Sequence, residues 1–161
     1  MHLTSKERQL LQDQKSHEQL CIQKYTEYSQ RAQDPELKQL FESYAQKERE
    51  HLNTVNQILS GQVPSTQQSG GSSGQQGTTQ AYSSPTQTAT TSQSQTTSQE
   101  DKALCEDMLM TEKYVSGTYD TAVFEFRDTN IRQTLNHIQK EEQEHGEGIF
   151  NYMQKKGYYN L

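Results

Sequence analysis

The feature that most limits how this chain can fold is that its second half repeats its first. Laid over one another at a constant shift of 94 residues, Glu18 meets Glu112, Tyr25 meets Tyr119, Asp34 meets Asp128 and Gln39 meets Gln133. Further on, Glu48 meets Glu142, Glu50 meets Glu144 and His51 meets His145; upstream, Leu10 meets Leu104 and Asp13 meets Asp107. No gap is needed. An ungapped internal repeat of this kind reports a duplicated supersecondary unit.

Each copy reads as helix, tight turn, helix. Thr4-Ser5-Lys6-Glu7 is a capping box, and Ser98 with Asp101 is a looser one at the expected start of the third helix. Asp34-Pro35 places a capping carboxylate before a proline at the first helical position, and Asp128 takes that role in the second copy. Ser60-Gly61 and Lys156-Gly157 are stop signals. Apolar residues recur at steps of three and four, as on the first helix at Leu11, Cys21, Tyr25, Tyr28 and Ala32 and on the second at Leu37, Phe41, Tyr44, Val55 and Ile58. The third and fourth helices repeat the pattern from Cys105 to Phe126 and from Ile131 to Tyr152. Four such seams predict an all-α four-helix bundle, with hairpins over 5–61 and 98–157.

Between the hairpins, residues 62–99 are almost wholly Gln, Ser, Thr and Gly. That composition cannot offset its own ordering entropy and reads as a flexible linker. It also explains why the whole chain is only 29% hydrophobic. A net charge of −6, with 15 Lys and Arg against 21 Asp and Glu, argues against a nucleic-acid partner. The N-terminus has no apolar run behind its basic residues, so no signal peptide is expected, and no stretch is apolar enough for a membrane span. Cys21 and Cys105 lack metal-binding spacing and read as free, buried thiols.

Six polar residues occupy seam positions where a core is normally apolar: Glu18, Glu48, His51, Glu112, Glu142 and His145. An unpaired carboxylate in an apolar core costs several kcal/mol, so it protonates or finds a cation. Glu-x-x-His places both side chains on one helix face, about 4.5 Å apart along the axis. Counting residues from the Asp34 turn sets Glu18, Glu48 and His51 near one level, and the second hairpin repeats this. One glutamate from each of two helices with Glu-x-x-His from each of the others is a dinuclear carboxylate ligand set, suited to two divalent ions of iron or manganese. Mutually hydrogen-bonded core polar residues are the metal-free alternative. Tyr25 and Tyr119 lie two turns from Glu18 and Glu112 and are either donors to that set or aromatic core filler. Glu50 and Glu144 point away from it, and His2, His17 and His137 lie off the seams or near a terminus.

Two resemblances follow. Glu18-x6-Tyr25 with Glu48-Arg49-Glu50-His51 resembles the rubrerythrin and ferritin-like diiron group, though the four-cysteine electron-transfer domain of rubrerythrin is missing. Residues from Glu100 to Tyr159 resemble the spore coat protein F (CotF) family, through Glu100-Asp-Lys-Ala-Leu-Cys-Glu-Asp-Met-Leu109, Ile131-Arg-Gln-Thr-Leu135 and the ending Asn151-Tyr-Met-Gln-Lys-Lys-Gly-Tyr-Tyr159. The CotF resemblance implies a ferritin-like bundle made in the mother-cell cytoplasm and built into the spore coat, with other coat proteins or further copies of itself as partners. That family is not defined by metal ligands, so the site rests on the residues here. By analogy with the diiron group, Glu48 and Glu142 would bridge, with Glu18, Glu112, His51 and His145 terminal. Three functions fit: a coat protein with a metal site, a dinuclear oxidoreductase of peroxidase, catalase or ferroxidase type, and a metal-free assembly module. Limited proteolysis should cut first within residues 62–99 and leave both hairpins uncut; a first cut inside either hairpin would contradict this division.

Overall fold

The computed structural model describes residues 2–64 and 91–159. Four helices follow in order: α1 (Ser5–Arg31), α2 (Pro35–Leu59), α3 (Thr91–Glu125) and α4 (Thr129–Lys155). On α1, α2 and α4 the caps form where the sequence sets them. Thr4 Oγ1 accepts from the Glu7 amide at 3.2 Å, while the Glu7 carboxylate accepts from the Thr4 amide at 2.7 Å. Asp34 and Asp128 accept from the second amide of α2 and α4, Glu36 at 2.9 Å and Asn130 at 2.8 Å. Gly61 and Gly157 stand just beyond α2 and α4 with φ of 88° and 73°, a left-handed conformation that favours glycine.

The start of α3 differs from expectation. Its backbone is already helical at Thr91, so Ser98 is not its cap. The rest of the expected linker, residues 65–90, lies outside the described residues. Asp101, expected in the first turn of α3, is buried and does something else. It accepts from the amides of Gln33 and Asp34 at 2.8 and 3.0 Å, pinning the α1–α2 turn. Its repeat-mate Glu7 accepts from the Arg127 amide at 3.1 Å, pinning the α3–α4 turn in the same way. Each hairpin thus clamps the other's turn.

α1 packs on α2 and on α3, and α4 packs on α3 and on α2. All four neighbouring pairs are antiparallel. Arg31 at the end of α1 meets Glu100 near the start of α3, whereas Lys6 at the start of α1 meets Glu125 at the end of α3. Arg8 donates to the Leu59 carbonyl, so α2 finishes beside the beginning of α1. The end of α2 and the start of α3 therefore lie toward opposite ends of the bundle, whose length is about 40 Å for the 27 residues of α1.

The core is divided into two clusters. One gathers Tyr25, Phe41, Met108 and Ile149 toward the α1–α2 turn; the other gathers Leu11, Val55, Tyr119 and Leu135 toward the α3–α4 turn. All seam positions are buried except Tyr28 and Tyr44, which are half-buried. On α2 the buried seat beside Tyr44 belongs to Ala45. Both thiols are free and buried. Among the described residues no helix is long and apolar enough to cross a membrane.

Burial opposes the charge on Glu7, but amides of Thr4 and Arg127 and the Arg127 guanidinium outweigh it and lower its pKa from 4.5 to about 2. A depressed carboxylate stabilises the fold fully above its unfolded value and loses that contribution as pH falls through its folded one. Glu7→Gln should therefore be less stable than wild type near neutrality. In denaturant titrations the gap should close as pH falls from 4.5 toward about 2; a gap independent of pH would place the clamp's contribution elsewhere.

Candidate metal centre

Between the two apolar clusters lies a single polar layer. α1 supplies Glu18, α2 Glu48 and His51, α3 Glu112, and α4 Glu142 and His145; none is more than 4% exposed. The i, i+3 spacing on α2 and α4 brings each glutamate and histidine to one face, as the helical period requires. The antiparallel pairing then sets all four helices' contributions at one height.

His51 Nδ1 lies 3.2 Å from Glu48, 3.1 Å from Glu142 and 3.7 Å from Glu18. His145 Nδ1 lies 3.0 Å from Glu48, 3.4 Å from Glu142 and 3.6 Å from Glu112. The imidazoles lie face to face with centroids 5.9 Å apart, so both Nδ1 atoms look into one ring of carboxylates. Two overlapping groups result, Glu18-Glu48-His51-Glu142 and Glu48-Glu112-Glu142-His145, each with donor atoms within 4.8 Å of one another. Glu48 and Glu142 belong to both.

The donor set fits a pair of hard to borderline divalent cations. Four carboxylates carry a charge of −4 when ionised, which two such ions balance. Oε2 of Glu18, Glu112 and Glu142 is buried and has no hydrogen-bond partner. A buried acceptor left unpaired costs about 1–3 kcal/mol, more when charged. Three of them at one level are more than a satisfied polar network leaves.

Without an ion, the layer draws protons to itself. Burial holds the Glu18 carboxyl well above its ordinary value and lifts Glu112 to about 8, helped by neighbouring carboxylates. Burial also opposes charge on Glu48, but hydrogen bonds to His145 and His51 prevail and hold it at about 2. For His145 burial is likewise outweighed, by Glu112, Glu142 and Glu48, and its pKa rises to about 11. His51 is raised too, against burial, by Glu141, Glu142, Glu18 and Glu48.

Around the layer the hairpins exchange support. Tyr25 on α1 donates to Glu112 on α3, and Tyr119 on α3 donates to Glu18 on α1. Both tyrosines are fully buried, so they fill the core and satisfy a carboxylate at once. Their partners lie across the bundle, which spacing within one hairpin does not reveal.

Two residues are not legible from the sequence as neighbours of the layer because they break the repeat. Glu141 accepts from His51 Nε2 at 2.8 Å, which turns Nδ1 toward the carboxylates. Its repeat-mate is Lys47, which faces it at 3.4 Å. Tyr44 stacks on His145 with centroids 4.3 Å apart, where the second copy has Ile138. The ring reaches that place because Gly148 is opposite: a Cβ there would fall 1.8 Å from the tyrosine oxygen. The residues set aside stay aside. Glu50 and Glu144 are exposed and pair with Lys47 and Lys140, and His17 and His137 are in neither donor group.

Residues 100–161 match the family model of the Coat F domain, which bears out the spore coat resemblance of the second hairpin. No curated protein and no solved structure matches the chain. If the tyrosine hydroxyls satisfy the terminal glutamates, Tyr25→Phe and Tyr119→Phe should each destabilise the metal-free protein by about 1–3 kcal/mol in denaturant titrations. Losses within about 0.5 kcal/mol would reduce both rings to core filler.

Proposed function

We propose that this chain, whose second hairpin carries a Coat F domain, is a spore coat protein whose bundle holds a dinuclear iron or manganese centre. The observation that carries the reading is the pair of buried donor groups overlapping at Glu48 and Glu142. Glu48 and Glu142, common to both groups, would serve both ions, with Glu18 and His51 holding one and Glu112 and His145 the other. Carboxylate and imidazole donors together favour iron or manganese over magnesium or calcium. The layer's position supports a ferritin-like kind of bundle, in which such sites lie midway along four helices.

Each supporting side chain has a task in this scheme. Tyr25 and Tyr119 occupy one oxygen of Glu112 and Glu18, leaving the orphaned Oε2 of each for a cation. Glu141 holds the His51 ring by its outer nitrogen, so that the inner one is free to ligate. The two apolar clusters exclude water on both sides and stiffen the ligand geometry. A pair of iron or manganese ions would supply Lewis acidity and redox capacity toward peroxide or dioxygen. That capacity makes an oxidoreductase the second reading, on the same residues. Fold and ligand set are common to both, so turnover distinguishes them. In the coat reading the protein works among other coat proteins.

Ligands that bind only the native state raise its stability, by about 2.7 kcal/mol at a hundred times the dissociation constant. Iron or manganese should therefore raise the melting temperature of metal-free protein, and Glu48→Ala with Glu142→Ala should abolish the rise. Identical melting curves with and without metal would leave the metal-free assembly module. If the centre is also an enzyme, loaded protein should decompose peroxide or oxidise ferrous iron well above free metal. His51→Ala with His145→Ala should bring that rate to background while the helical spectrum persists. Loaded protein without turnover would retain the coat reading alone.

A further inference from the structure

The two faces of the polar layer are not equivalent. Between α3 and α4 a groove of about 680 Å³ opens outward, and Glu112 and Glu142 line its floor. Each of these carboxylates is almost wholly buried and has an oxygen without a hydrogen-bond partner. Small residues make the groove. Gly146 and Ser116 line it, where the first copy carries half-buried Leu52 and Ile22. Nothing in the backbone demands glycine at 146: a Cβ there would make only ordinary contacts, 3.7 Å from Leu109 and 3.9 Å from Glu112.

Charge departs from the repeat in the same place. Asp120 and Glu147 line the groove, while their mates on the α1–α2 face are the neutral Thr26 and Asn53. Gln143 of the groove has a cationic mate, Arg49. With Lys113 as the one cation among four carboxylates, the groove's lining is net anionic and ends on orphaned carboxylates. A cleft lined by one sign of charge with apolar walls concentrates the opposite ion and speeds its arrival.

We propose that the α3–α4 groove is the route by which divalent cations reach the buried layer, with Asp120 and Glu147 drawing them in. The route rests on the proposed metal centre and adds a direction to it. Loading runs through the half of the repeat that has Gly and Ser where the other has Leu and Ile, and acids where it has Thr and Asn, while Ile22, Leu52 and Arg49 lie on the other face.

The test uses the full chain, stripped of metal, with Co²⁺ as the probe. Ligand-field absorbance gives both the number of ions bound at equilibrium and the rate of loading, and a chelator gives the rate of extraction. Gly146→Leu with Ser116→Ile, the residues of the first copy, should leave the equilibrium stoichiometry intact and slow both loading and extraction. Asp120→Asn with Glu147→Gln, which keeps packing unchanged, should slow loading about tenfold at low salt, and the difference should vanish at high salt. Unaltered loading and extraction rates in the filled variant with full stoichiometry would overturn the route. If filling the groove prevents folding, the carboxamide pair decides alone: loading as fast as wild type at low salt overturns the proposal. Wild-type protein that binds no Co²⁺ would sink the metal centre itself, and the route with it.

Discussion

Four carboxylates enclosed at one level of a narrow bundle impose a condition that the rest of the molecule meets. Charge removed from water must be matched nearby, because the interior screens it poorly. Tyr25 and Tyr119 each satisfy one oxygen, and His51 and His145 satisfy others. Three oxygens remain without partners. The apolar core is split in two by this layer, and each part packs against one side of it. The bundle is therefore organised about its centre, with helix pairing fixing the level at which the six side chains meet.

Reciprocity across the hairpins follows from the same arrangement. Hairpin 1 provides Tyr25 for Glu112 and Glu7 for the α3–α4 turn; hairpin 2 provides Tyr119 for Glu18 and Asp101 for the α1–α2 turn. His51 faces Glu142, and His145 faces Glu48. Each hairpin relies on the other to complete its polar layer and to brace its turn. A lone hairpin would expose its seam and leave buried acids unpaired, so the duplicated unit works as a pair. The repeat is thus a structural necessity as well as a record of duplication.

Much of this was legible in the residues. Helix caps, the seams and the six polar positions follow from local rules of capping and periodicity, and the repeat doubled each signal. Contacts across the bundle were harder to read. Asp101 resembled part of a helix start, yet its carboxylate reaches Gln33 and Asp34 far away in sequence. Tyr25 and Tyr119 were recognised as neighbours of the layer, but their partners belong to the opposite hairpin. Glu141 went unread and Tyr44 was read only as a seam residue, because matching positions hold Lys47 and Ile138 and a repeat shows identities rather than differences. Gly146 and Ser116 were invisible for the same reason: a groove is made by side chains that are missing.

If the buried acids hold two cations, elemental analysis of protein purified without chelator, read beside its concentration, should find them. Two iron or manganese ions per chain are expected, falling to none in the Glu48→Ala, Glu142→Ala variant with its helices intact. A folded wild-type chain that stays free of metal even after dialysis against either ion would contradict that expectation.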